Sequence, residues 1–187
     1  MSEKMITEEE RNIQIKVKKN LMWIGIISIF MLFAGLTSAY VVAMGKPNFV
    51  PLDMPTMFWV SAVIISLSSA SMIFAIKSAK KDNYSGVSAG ILITFILGLG
   101  FCFTQFSGWG QLVSQKIFFI DHPSGQYLYF LSGLHLLHLF AGMISLIVAL
   151  FNASKRKYSS AQHIGLEVIA MYWHFLGILW IYLLLFL

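Results

Sequence analysis

The stretch QHIGLEVIAMYWHFLGILWIYLLLFL, residues 162–187, decides the fold. After Glu167 it carries no lysine, no arginine and no further carboxylate. A helix needs about 20 predominantly apolar residues to cross a bilayer core of about 30 Å, and this run exceeds that length. In lipid, a spanning segment must satisfy its backbone hydrogen bonds internally, which makes an uninterrupted run of this kind a helix. A barrel strand would be about half as long and would alternate polar with apolar residues.

Four further runs of the same kind lie upstream, at roughly Leu21–Met44, Met57–Ile76, Ser88–Leu112 and Gly125–Phe151. The predicted fold is all-α: a polytopic membrane protein with five transmembrane helices in a single domain over residues 21–187. Residues 1–20 are expected to form a polar, mixed-charge tail with only a weak tendency to helix. The first run is too long for a signal peptide and ends in no small-residue cleavage site, so it is expected to be retained. The composition agrees. Of 187 residues, 58 % are hydrophobic and 11 % charged, against about 45–50 % and about 25 % in soluble domains. A soluble enzyme, a disordered chain and a nucleic-acid-binding module are excluded, because no charged exterior can be assembled. The single cysteine, Cys102, supports neither a disulfide framework nor a thiolate metal site. It is expected to be a small buried apolar side chain.

The basic residues set an orientation. Lys4, Arg11, Lys16, Lys18 and Lys19 precede the first run; Lys77, Lys80 and Lys81 follow the second; Lys155, Arg156 and Lys157 follow the fourth. The opposite side has only Lys46 and Lys116. The positive-inside rule then predicts a cytoplasmic N-terminus and a periplasmic C-terminus. Short loops predict that consecutive helices pack as antiparallel neighbours. Membrane helices associate through small residues, so three faces are expected to pack. They are Gly86, Gly90, Thr94 and Gly98 on the third helix; Ala62, Ser66 and Ser69, with Ser61, Ser68 and Ser71 nearby, on the second; and Gly142, Ser145 and Ala149 on the fourth. Trp23, Trp59 and Tyr158 are expected at the membrane interface. Pro47, Pro51, Pro55 and Pro123 all fall in predicted loops. Neither broken helices nor an inverted repeat favour a transporter.

Ionisable groups within spans are costly and need a reason. Here they are His135 and His138 on the fourth helix, and Glu167 and His174 on the fifth. His135 and His138 are three apart and share a face. Glu167, Met171 and His174 share another. With about 1.5 Å rise per residue, Glu167 is expected roughly 7 Å in from the cytoplasmic end, and His138 and His174 near mid-depth. Three readings stand at this point: His138 and His174 as axial ligands of a b-type haem, the carboxylate and histidines as a proton relay, or a polar cluster pinning the fourth and fifth helices together. Zinc is disfavoured because no carboxylate lies at the histidines' depth.

Three stretches resemble subunit III of haem–copper cytochrome oxidases. Glu167 followed by Tyr172, Trp173, His174 and Phe175, with Trp180 six residues after the histidine, is similar to that family's closing helix. Gly133, His135, His138 and Gly142 are similar to its Thr-Gly-x-His-x-x-His-x-x-x-Gly helix. Phe33-Ala34-Gly35-Leu36, Ala39 and Tyr40 resemble a segment of the first helix in the short, five-helix bacterial form. The sequence departs from the family pattern in the third helix, where Gln105-Phe-Ser-Gly108-Trp109 lacks the glutamate of Gln-x-x-Glu. It departs again at Gly177, where an acid is usual, and at Ile29.

The resemblance implies an accessory subunit with no catalytic residue, no metal ligand and no cofactor of its own. Haem and copper would lie in partner subunits. It implies subunit I as the main contact, subunit II as a second, the lipid bilayer around it and room for phospholipid between its helices, and it leaves membership of a larger respiratory assembly open. It implies no nucleic-acid partner. The work implied is support of proton uptake and stability in a complex that passes electrons from cytochrome c to oxygen and pumps protons, in a bacterial plasma membrane. Glu167, His174, His135 and His138 would form an interhelical polar cluster or support proton uptake. Tyr40, Gln105, Trp109, Tyr172 and Trp173 would serve packing or lipid contact. The alternatives are subunit III of a quinol oxidase, a homologue associated with nitric oxide reductase, and, in another class, a stand-alone b-type haem membrane protein.

Overall fold

The computed structural model describes residues 8–46, 49, 54–115, 117, 119, 123–159 and 163–187, without the side chains of 8, 11 and 12. Met1, Lys4, Pro47, Pro51, Lys116, Gln162 and the side chain of Arg11 therefore lie outside the described residues. The elements are α1 (Glu8–Met44), α2 (Thr56–Lys80), α3 (Tyr84–Ser114), α4 (Pro123–Ser154) and α5 (Ile164–Phe186). All five are long and apolar enough to cross a membrane.

The helices outrun the apolar runs because polar residues of good helix propensity extend them. α1 begins at Glu8 instead of Leu21, so most of the expected tail is helix. Glutamate, lysine, arginine and glutamine are strong helix formers, and the glutamates at 8–10 favour the positive end of the helix dipole. Its 37 residues make a rod of roughly 55 Å, well beyond the bilayer core. α3 starts on Asn83, whose side chain accepts from the Gly86 N–H at 3.1 Å. Pro123 opens α4 instead of lying in the preceding loop. The first helical position suits proline, whose missing N–H would have no partner there.

α2, α3, α4 and α5 form a closed ring in which each helix packs on the next and α5 returns to α2. α1 lies outside this ring, against α4 and α5. The expectation that consecutive helices are neighbours therefore fails for α1 and α2, which do not pack among the described residues. The connection over residues 45–55 explains how. A chain of that length reaches roughly 35 Å, enough to step past the end of α5. α1 buries one narrow seam, Ile26, Phe33, Thr37, Tyr40 and Ala43, at spacings of three, four and seven.

The small-residue face of α3 is a true contact surface. A Cβ on Gly90 would come within 3.0 Å of the Ala75 backbone on α2. A Cβ on Gly98 would come within 2.6 Å of the Met143 sulfur and 3.0 Å of the Trp173 ring. The expected α2 face is corrected. Its buried residues are Phe58, Ser61, Ile65, Ser68, Met72 and Ala75, whereas Ser66 is exposed and donates to its own Ala62 carbonyl at 2.7 Å. A serine satisfied on its own helix needs no neighbour, so small polar residues alone do not mark a face. On α4, Gly142 and Ala149 are buried, while Ser145 donates to the Ala141 carbonyl at 3.1 Å. Trp23 and Trp59 are half exposed, whereas Tyr158 is buried and does not sit as an exposed anchor.

Gly98→Leu should therefore cost about 1–3 kcal/mol of stability by overpacking, read as a lower thermal midpoint in detergent. Gly110, with nothing within 4 Å of its Cβ position, provides the control. Equal midpoints for Gly98→Leu and Gly110→Leu would contradict the packing.

Candidate functional site

The polar interior is organised by two tryptophans. Trp173 and Trp180 lie seven residues apart on α5, and Ser68 and Ser61 lie seven apart on the antiparallel α2. The Trp173 indole donates to Ser68 Oγ at 2.9 Å, and the Trp180 indole to Ser61 Oγ at 2.8 Å. Seven residues is two helical turns, so both bonds repeat on one seam. Each serine hydroxyl in turn donates to a carbonyl of its own helix, Ile65 at 2.8 Å and Phe58 at 2.6 Å. Gln105 on α3 donates a third bond to Ser61, at 3.1 Å. The Trp173 ring fits because Gly98 and Gly142 flank it, with Cβ positions 3.0 and 3.2 Å from its carbons.

The four ionisable residues do not gather into one cluster. His135 is fully buried. Its ring stacks on Trp180 at 5.1 Å and meets Phe33 and Phe101 edge-on at 6.5 and 5.8 Å. His138, next along that face, donates from Nδ1 to the Leu134 carbonyl at 2.8 Å. The Tyr172 hydroxyl donates to the backbone carbonyl of His138 at 3.0 Å, fastening α5 to α4. His174 is half-buried. Among the described residues, no hydrogen bond joins it or Glu167 to the paired histidines.

Glu167 belongs to a separate charged group at the opening of α5. Its Oε2 accepts from Lys19 Nζ of α1 at 3.2 Å. Its Oε1 lies 3.2 Å from Lys80 Nζ of α2 and 3.3 Å from His163 Nε2. It sits in the first turn of α5, partly exposed, so it marks the edge of the span and not its interior. This carboxylate is what links α1 to α2. At the other end, Tyr40 donates to the Leu187 carbonyl at 3.2 Å, and the Thr37 and Tyr182 hydroxyls lie 3.2 Å apart. Trp109 donates to Ser132 at 3.0 Å, tying α3 to α4.

Ser61, Ser68, Trp180, Lys19, Lys80 and His163 were not singled out as site residues by sequence. The matched seven-residue spacings on helices of opposite direction were the signal that could have found the indole–serine pairs. The arrangement fastens helices. Between α4 and α5, Tyr172 bonds the His138 carbonyl, and Trp173 and Leu176 pack against Gly142. Among the described residues, no three His, Cys, Asp or Glu side chains come together as a metal site.

The family model for "Cytochrome c oxidase subunit III" matches residues 6–187. The cytochrome c oxidase subunit 3 of Corynebacterium diphtheriae is 28 % identical over 159 residues, covering 81 % of this chain and 77 % of that protein. A probable cytochrome c oxidase subunit 3 of Mycobacterium bovis is 30 % identical over 167 residues, covering 86 % and 81 %. The subunit 3 of Rattus norvegicus is 30 % identical over 133 residues, or 71 % of this chain. This chain spans about half the length of that animal relative, 49 %.

Removing the carboxylate should free the Lys19 end of α1. In Glu167→Ala, amide exchange around Lys19 is expected to speed up by a few-fold, since partly exposed pairs contribute up to about 1 kcal/mol each. Exchange around Tyr40 should stay as in the parent. Unchanged protection around Lys19 would contradict the link.

Proposed function

This chain belongs to the cytochrome c oxidase subunit III family, and from that premise we propose that it is a non-catalytic accessory subunit of a haem–copper terminal oxidase. In this reading it supports the assembly, stability and proton uptake of the catalytic subunit, which passes electrons from cytochrome c to oxygen with proton pumping. The observation that carries it is the use made of the buried polar atoms. Trp173, Trp180, Ser61, Ser68 and Gln105 bond to one another across helices. Gly108 also favours a supporting role. It stands where the family pattern reads glutamate, and the Phe58 ring comes within 2.6 Å of its Cβ position, so the place of a carboxylate is filled by an aromatic ring.

In the proposed orientation the start of α1 and of α5 and the ends of α2 and α4 face the cytoplasm of a bacterium. Lys16, Lys18, Lys19, Lys77, Lys80, Lys81, Lys155, Arg156 and Lys157 lie at those helix ends, which supports this by the positive-inside rule. Glu167, in the first turn of α5, is then the best candidate for a titratable group near the cytoplasmic surface that supports proton uptake. A groove of about 370 Å³ runs between α1 and α5, lined by Lys18, Leu21, Met22, Gly25, Ile29, Gly165, Val168 and Tyr172. Its apolar walls suit an acyl chain, and Lys18 suits a lipid phosphate. The haem and copper belong to subunits I and II in this reading, with subunit I as the main neighbour.

Purification through a tag on this chain, in mild detergent, tests the proposal. Haem- and copper-bearing polypeptides are expected to accompany it, with oxygen consumption supported by reduced cytochrome c. A lone colourless polypeptide from oxidase-replete membranes would contradict it. A Soret band carried by the lone chain would favour the haem protein instead.

A further inference from the structure

Two buried side chains in the Trp180 layer are left with polar atoms unpaired. Both ring nitrogens of His135 and the Oε1 of Gln105 have no hydrogen-bond partner, and both residues are fully buried. Such atoms are rare in folded proteins, and trapped water is the common explanation. Neither residue can pair with its present surroundings. The rings around His135 are Trp180, Phe33 and Phe101, and the Trp180 N–H is already given to Ser61. The Ser61 hydroxyl donates to the Phe58 carbonyl and accepts from the Gln105 N–H₂, which leaves Oε1 without a donor. Reversing the amide would only exchange this orphan for an unpaired N–H₂.

The two orphans lie in one layer. The Trp109–Ser132 bond fixes the register of α3 against α4. One turn onward from each of those residues lie Gln105 and His135. Phe101, a turn from Gln105 on the same helix, touches both His135 at 5.8 Å and Trp180 at 5.3 Å. The chemistry is complementary. A neutral imidazole offers one donor and one acceptor, and the amide oxygen offers an acceptor.

We propose that His135 and Gln105 together hold an ordered internal water molecule that ties α3 to α4 beside the Trp180 indole. The water accepts from or donates to one His135 ring nitrogen and donates to Gln105 Oε1, so solvent trapped within the bundle pairs two of the three orphaned atoms beside Trp180. This site is separate from the charged group around Glu167 and does not depend on the oxidase reading.

An experimental map of the full chain, at a resolution that shows ordered water, tests it directly. A solvent peak is expected at about 2.7–3.2 Å from both Gln105 Oε1 and a His135 ring nitrogen. Well-ordered side chains with no peak between them, or a direct histidine–glutamine bond, would overturn the proposal. Thermal midpoints give a second readout. His135→Phe and Gln105→Leu should each lower the midpoint by about 2–4 °C, because each strands the water and the remaining polar partner. A raised midpoint in His135→Phe would mean that the site is dry, and would overturn the proposal even without a map.

Discussion

Two indole–serine hydrogen bonds between α5 and α2 hold this molecule in its one arrangement. In lipid, burying leucine against leucine gains little, because the solvent is already apolar. What distinguishes one helix packing from another is close approach and directed bonds. An indole N–H in hydrocarbon has no water to turn to, so it must find an acceptor within the bundle. Trp173 and Trp180 find Ser68 and Ser61 at 2.9 and 2.8 Å. Interhelical bonds of this kind contribute about 0.6 kcal/mol each on average and up to about 1.7. The larger effect is on register, since sliding α5 by one residue would strand both donors.

The rest of the architecture follows from that seam. Large indoles at the centre require small residues opposite them, and Gly98 and Gly142 supply the space. Trp180 in turn carries the His135 ring on one face and meets Phe58 and Phe101 edge-on. α1 lies outside the ring and is fastened mainly near its two membrane edges. Lys19 bonds Glu167 at one, and Tyr40 and Thr37 bond α5 at the other, with Phe33 packed against the two histidines between them. A helix held this way can be loosened at one end without opening the core.

The five spans, their order and their class were legible in the sequence, because an apolar run of this length has one stable outcome in lipid. The α3 stripe was legible for a similar reason, as glycines at four-residue spacing can only mean close approach. The place of α1 was not legible. Loop length bounds where a helix can go, and residues 45–55 allow it to pass α5. The α2 face was misjudged because a serine can satisfy itself on its own helix, as Ser66 does, while Ser61 and Ser68 receive indoles. Grouping Glu167 with the histidines overlooked that its first-turn position brings it to lysines on two other helices. The resemblance correctly gave the family, but residue contacts come from packing that no motif spells out.

The central claim is that the two indole–serine pairs lock α5 onto α2. A double-mutant cycle on Trp173→Phe and Ser68→Ala, scored by the unfolding free energy of the full chain in detergent, tests it most directly. The account predicts a coupling of about 0.5–1.5 kcal/mol between the two changes. Effects that add to within about 0.3 kcal/mol would contradict it.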